Sequence, residues 1–159
     1  MLSIINNRVS TTWYVKFKMG ELKKIIINTD GGARGNPGPA AIGVVIVMGN
    51  GTKEYAEMIN NTTNNIAEYK AVIFALKKAK QLIGKKNTKL KELEVRTDSE
   101  LLTKQLNGSY KIKDKNLGLL FIEVWNLMQD FKKVTIIHVP RENNRGADKL
   151  VNQTLDTLF

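Results

Sequence analysis

Along the chain, the spacing of apolar positions changes from strand-like to helical and back. The runs Ile25 to Asn28 and Ala41 to Met48, "AIGVVIVM", are short, apolar and rich in β-branched residues, which predicts two buried strands. Between the second run and the alternating stretch "KEYAEMI" lies "GNGT", and Asn50-Gly51 is expected at the two positive-φ positions of a type I′ hairpin turn. Three antiparallel strands should therefore open the fold. A helical period follows in "TTNNIAEYKAVIFALKKAKQLI", where Ala67, Ala71, Ala75 and Ala79 form a ridge narrow enough to lie close on a sheet. Thr63 or Asn64 should cap it.

The same reading places a strand at Leu93 to Arg96 running into a helix, with Thr97 and Glu100 spaced as a capping box. The polar loop "NGSYKIKDKN" leads to an amphipathic helix from about Leu117 to Phe131, whose Phe121, Trp125 and Met128 are expected in the core. A fifth strand, Val134 to Val139, is stopped by Pro140, and a last helix begins near Ala147. Hairpin strands followed by strands alternating with helices imply an α/β fold: a mixed five-stranded sheet flanked by helices.

Composition adds a preferred partner. With 25 Lys and Arg against 15 Asp and Glu, the net charge of +10 attracts polyanions, and nucleic acid comes first among them. Cysteine is absent, which excludes disulfides, thiolate chemistry and Cys-based zinc sites and agrees with a cytoplasmic protein. No stretch approaches the ~18 apolar residues of a membrane span, so no membrane association is expected. Residues 1–22 read as a basic, aromatic N-terminal extension to a single domain at 23–159, since Arg8, Lys16 and Lys18 mix there with Trp13, Tyr14 and Phe17 before the first acid at Glu21.

Four acids stand where elements begin or end. Asp30 and Asp98 follow strands, and Glu68 and Asp148 lie in the first turns of helices, where ligands collect in open α/β sheets. Taken singly, Asp98 and Asp148 need only complement a helix dipole and Asp30 only start a turn. Glu68 is different, because steps of four, seven and eleven put it on the core-facing stripe with Val72, Ala75 and Ala79, where a carboxylate needs a partner or a metal. If the strands carrying Asp30 and Asp98 are neighbours, the charges converge and a divalent cation relieves their repulsion. Hard oxygen ligands suggest Mg²⁺ or Mn²⁺ rather than zinc. Two such ions ~3.5–4 Å apart suit in-line hydrolysis of a phosphodiester. The glycines of "GGARGNPGPA" carry no P-loop pattern; they allow a ribose-phosphate strand to approach the backbone.

From about Lys24 to Leu155, the ordered blocks "TDGGARGNPGPAAIG", "TTNNIAEYKA", "TDSELL" and "PRENNRGADKL" resemble ribonuclease H of type 1. The resemblance implies the ribonuclease H-like fold and an endonuclease that hydrolyses the RNA strand of an RNA/DNA hybrid with two Mg²⁺ ions, leaving 5′-phosphate and 3′-hydroxyl ends. It implies that Asp30 bridges both ions, that Asp148 joins it at one, and that Glu68 and Asp98 complete the other. Asn36 and Asn64 resemble the family's substrate contacts, and Thr63 with Asn65 part of its pocket for a DNA-strand phosphate, while Gly31 and Gly32 are expected to bind substrate through their open backbone. A monomer with no protein partner is expected. The alternatives are a broader nuclease that also cuts double-stranded RNA and a non-catalytic hybrid-binding module.

Three departures from that family pattern stand out. Glu100 replaces a glutamine that touches bases, and His138 falls on the strand before the loop where bacterial members carry a histidine. The basic helical protrusion of some members is missing, its place taken by "NGSYKIKDKN". Lys111, Lys113 and Lys115, alternating with Ile112 and Asp114, are expected on one side of an extended loop, where they could grip the hybrid backbone.

Overall fold

The structure, a computed structural model, describes residues 24–49 and 51–158. The N-terminal extension expected at 1–22 lies outside the described residues. Five strands form one sheet in the order β3-β2-β1-β4-β5: β1 (Lys24–Ala33), β2 (Gly38–Met48), β3 (Gly51–Thr62), β4 (Glu92–Thr97) and β5 (Lys133–His138). The first three pair antiparallel, while β4 joins β1 and β5 joins β4 in parallel. Among the described residues, four α-helices cover the sheet: α1 (Asn64–Ile83), α2 (Glu100–Leu106), α3 (Lys115–Met128) and α4 (Arg145–Asp156).

Alternation along β1 sorts the helices onto two faces, because successive residues of a strand point to opposite sides. A Cβ at Gly31 would run into the backbone of Ala67 on α1, whereas one at Gly32 would meet Val151 on α4. On the α1 side lies the main core, where Ile25, Ile27, Val44, Ile46, Leu93 and Val95 meet Val72, Ala75, Leu76 and Ala79. All four ridge alanines are buried, so α1 rests on the sheet through its smallest side chains. Leu102 of α2 and Leu117 and Val124 of α3 extend that core. On the other face, α4 has a small core of its own made by Val151 and Leu155 against Ala41.

Several local expectations are corrected. Strand β1 does not stop before Asp30 but carries it, together with Gly31 and Gly32, opposite Gly43, Ile42 and Ala41 of β2. Antiparallel pairing here outlasts the apolar run, and only residues 34–37 turn. Met48 pairs with Gly51, which belongs to β3 instead of the expected turn, and Gly49 takes a positive φ of 62°, whereas Asn50 lies outside the described residues. Ser99, not Thr97, caps α2 by accepting from the Leu102 N–H, and Glu100 pairs with Lys104 instead of closing a capping box. Helix α4 starts at Arg145, ahead of Ala147. Helix α3 starts at Lys115, which therefore leaves the extended loop, and its Trp125 is 53% exposed beside Leu119 and Ile122. Phe121 and Met128 do pack on the core as expected. The loop before α3 is held short, with Gln105 donating to the Lys111 carbonyl, Ile112 tucked against the core and Asp114 capping the helix.

Candidate active site

The site forms where β1 and β4 run side by side toward the same end. Asp30 sits on β1 and Asp98 directly follows β4, so parallel pairing sets the two acids next to each other. Gly31 brings in the third. Without a side chain there, the first turn of α1 packs on the β1 backbone at Ala67 and Glu68, which sets Glu68 beside Asp30. One carboxylate oxygen from each of Asp30, Glu68 and Asp98 lies within 4.8 Å of the others. Thr97, the last residue of β4, places its hydroxyl 3.5 Å from Glu68 Oε2 and accepts from the Ser99 N–H.

Asp148 arrives on α4 and stands slightly apart. Its Oδ1 accepts from Arg141 at 2.7 Å, yet its charge is still felt at Asp30 and Asp98. Asn144 positions this helix: it is buried, donates to the Thr29 carbonyl at 2.9 Å, and accepts from Asn28. Under the helix is Gly43, where a Cβ would press on the Ala147 carbonyl.

The electrostatics are those of carboxylates crowded together in a partly buried cleft. Burial, followed by the charges of Asp98 and Asp148, pushes Asp30 up to about 6. Burial, followed by Asp30 and Asp98, holds Glu68 well above the usual carboxylate range. Asp98 is raised by burial while Arg141 draws it down. Groups in this condition gain most from a bound divalent ion, which replaces the missing counter-charge. The four predicted acids thus reach one cleft of about 340 Å³, also lined by Gly31, Gly32, Ala33, Arg34, Asn64, Arg141 and Asn152.

Other predicted residues have local tasks. Thr63 caps α1, its Oγ1 accepting from the Ile66 N–H. Asn36 Oδ1 accepts from the Asn64 N–H, and Asn64 Oδ1 accepts from the Ala33 N–H at 2.8 Å, so the two asparagines lock the β1–β2 turn to the start of α1. Asn65 is exposed next to them. Gly31, Gly32 and Asn64 line the cleft; Asn36, Thr63 and Asn65 are not among its lining residues. His138 ends β5 with its Nε2 3.2 Å from the Asp98 carbonyl, outside that lining. Sequence reasoning missed Arg34, Arg141, Asn144 and Asn152. The signal for Arg141 was its place in "PRENNRGADKL", seven residues before Asp148; the others carried none beyond proximity to the glycine-rich block or to the last acid.

Comparison with known proteins agrees with this geometry. A family profile described as reverse transcriptase-like matches residues 28–154. Ribonuclease HI of Halobacterium salinarum (strain ATCC 700922 / JCM 11081 / NRC-1) is 41% identical over 129 residues, covering 80% of this chain and 62% of that protein. The chain thus spans less than two thirds of that relative's length. Ribonuclease H of Rickettsia bellii (strain RML369-C) is 32% identical over 153 residues, covering 87% of this chain and 94% of that one. Among solved structures, LC11-RNase H1 in complex with an RNA/DNA hybrid superposes with a TM-score of 0.79 at 44% identity, over 84% of this chain and 98% of that one. A sheet in the order seen here, acids converging from four separate elements, and matches at this identity over most of the chain together assign it to the ribonuclease H type 1 family.

Proposed function

We propose that the chain is a monomeric endonuclease that hydrolyses the RNA strand of RNA/DNA hybrids, leaving 5′-phosphate and 3′-hydroxyl ends, with two Mg²⁺ ions that Mn²⁺ can replace. The observation that carries this reading is the cluster of Asp30, Glu68 and Asp98, three carboxylates within 4.8 Å of one another. A binding module for a polyanion gains nothing from such a cluster, whereas a metal-dependent phosphodiesterase needs one to hold its ions. The donor set fits hard divalent ions, being carboxylate oxygen alone with no cysteine or histidine among it.

In this reading Asp30, Glu68, Asp98 and Asp148 hold the ions. Such ions activate a water and stabilise the leaving oxygen of a phosphodiester. Thr97 keeps Glu68 oriented, and Arg141 balances the charge of Asp148. Gly31, Gly32 and Asn64 offer backbone and amide contacts along the cleft, where the 2′-hydroxyl of the cleaved strand separates RNA from DNA. The relative solved in complex with an RNA/DNA hybrid supports this choice of substrate.

The test is a cleavage assay on end-labelled hybrid, double-stranded RNA and DNA duplex of one sequence, with Mg²⁺ or with EDTA. Cleavage of the hybrid's RNA strand in Mg²⁺ alone, with products that a ligase accepts through their 5′-phosphate, is expected. Equal cleavage of double-stranded RNA would replace the reading with a broader nuclease. Hybrid binding without cleavage in Mg²⁺ would replace it with a binding module.

A further inference from the structure

The cleft continues past the acids, between the β1–β2 turn and α4. Ala33, Arg34, Asn152 and Leu155 line this far end. Among the described residues, Arg34 and Arg141 are the cationic residues of the lining, with no lysine beside them. Both are held by carboxylates of α4: Arg141 by Asp148 at 2.7 Å and Arg34 by Asp156 at 2.6 Å. Asp148, Asn152 and Asp156 recur every fourth position and so share one side of the helix. In the free protein, one column on α4 therefore occupies both arginines.

The backbone under Arg34 is fixed, whereas its head group is exchangeable. The Arg34 N–H donates to the Pro39 carbonyl at 2.8 Å, and the preceding Ala33 N–H is held by Asn64. By contrast, the side chains of Arg34 and Asp156 are 42% and 66% exposed, and ion pairs of that exposure contribute little to stability. A guanidinium fork matches the two free oxygens of a backbone phosphate as well as it matches a carboxylate. A polyanion entering a cleft of four acids also needs cations nearby to offset the repulsion. Arg34 lies just past the end of β1, four residues beyond Asp30 and up to roughly 13 Å from it at strand rise, so it reaches a different phosphate from the one at the acids.

We propose that Arg34 is a phosphate clamp on the cleaved strand, releasing Asp156 to grip a backbone phosphate a few nucleotides from the scissile bond. This rests on the nuclease reading above. The clamp deepens it by naming a residue that sets substrate affinity, with Asp156 as the competitor that keeps the clamp closed until a strand enters.

The experiment compares the full-length protein with its Arg34→Ala, Arg34→Lys, Asp156→Asn and Arg34→Ala/Asp156→Asn variants, all on the same RNA/DNA hybrid. For Arg34→Ala, KM rises more than kcat falls, and the slope of log K against log salt flattens by about 0.7–0.9, one phosphate contact. Arg34→Lys recovers part of the affinity. Asp156→Asn lowers KM, and the double variant behaves like Arg34→Ala. A scan of single neutral methylphosphonates along the RNA-strand backbone finds one position, away from the cut, where wild-type affinity drops and Arg34→Ala affinity does not. An unchanged salt slope, or a higher KM for both Arg34→Ala and Asp156→Asn, would show the pair to be a structural clasp and overturn the proposal. The salt slope is measured on hybrid binding in EDTA, so it tests the clamp even if wild-type protein fails to cleave, an outcome that would count against the nuclease reading alone. Should Arg34→Ala fold poorly, the methylphosphonate scan on wild type and Arg34→Lys decides the matter.

Discussion

Neutralising Asp30 should strengthen the metal-free fold while ending catalysis. Its carboxyl is raised from 3.8 to about 6, a gap of about 2.2 pH units, and at 1.36 kcal/mol per unit the charged form costs about 3 kcal/mol. The folded state holds its proton to higher pH than the unfolded state does, so stability falls as pH rises from about 4 to 6. Below that window the acid is protonated in both states and costs nothing; above it the cost is complete. Asp30→Asn removes the charge and keeps the shape, so in EDTA the variant should match wild type near pH 3.5 and exceed it by up to about 3 kcal/mol at pH 8. For a domain of this size that is a gain in Tm of about 6–12 °C. Urea denaturation in EDTA across the pH range measures it, and Mg²⁺ should narrow the gap by stabilising wild type. A variant no more stable than wild type at pH 8, or a gain that does not depend on pH, would refute the picture of carboxylates crowded without a counter-ion.

Three further outcomes follow from the site and its supports. Asp98→Asn should abolish hybrid cleavage in Mg²⁺ while hybrid binding and the far-UV spectrum persist; turnover near wild type would remove Asp98 from the metal site. Gly31→Ala should cost about 3 kcal/mol or more, because the new Cβ has only the α1 backbone to push against, and activity should fall with it; thermal melts and cleavage rates check this together. Replacing Lys111, Lys113 and Lys115 with Ala should flatten the salt slope of hybrid binding by about 2–3, and an unchanged slope would show that this exposed stretch carries no grip.

The sequence revealed the architecture wherever a periodic pattern coincided with one face of burial. Five strands, the alanine ridge and the inward-facing Glu68 were all legible for that reason, whereas Asp30, Asp98 and Asp148 were legible only from their places at element ends and in the ordered blocks around them. What it concealed were interactions between distant segments. Nothing local says that Gly31 serves the close approach of α1, since the approach of a ligand needs the same missing side chain. The tasks of Asn36 and Asn64 were hidden likewise: an asparagine in a turn looks the same whether it caps a neighbour or touches a substrate, and here the two bond each other's segments. Ser99 displaced Thr97 as a cap because Thr97 belongs to β4 and points its hydroxyl toward Glu68. Trp125 came out exposed because an amphipathic helix packed on one neighbour leaves its opposite side free.

Asp148 is carried by the helix with the smaller of the two cores, Val151 and Leu155 on Ala41, across the sheet from the cluster that holds α1. Segments that bury little apolar surface open more often than the domain as a whole unfolds. The acid set should therefore have a weak member: α4 is expected to open from the sheet before the other three acids lose their places. Amide hydrogens of α4 should exchange with solvent ahead of those in α1. Under mild denaturant, the proposed hybrid cleavage should fade before the main core melts, leaving a chain that is folded but silent.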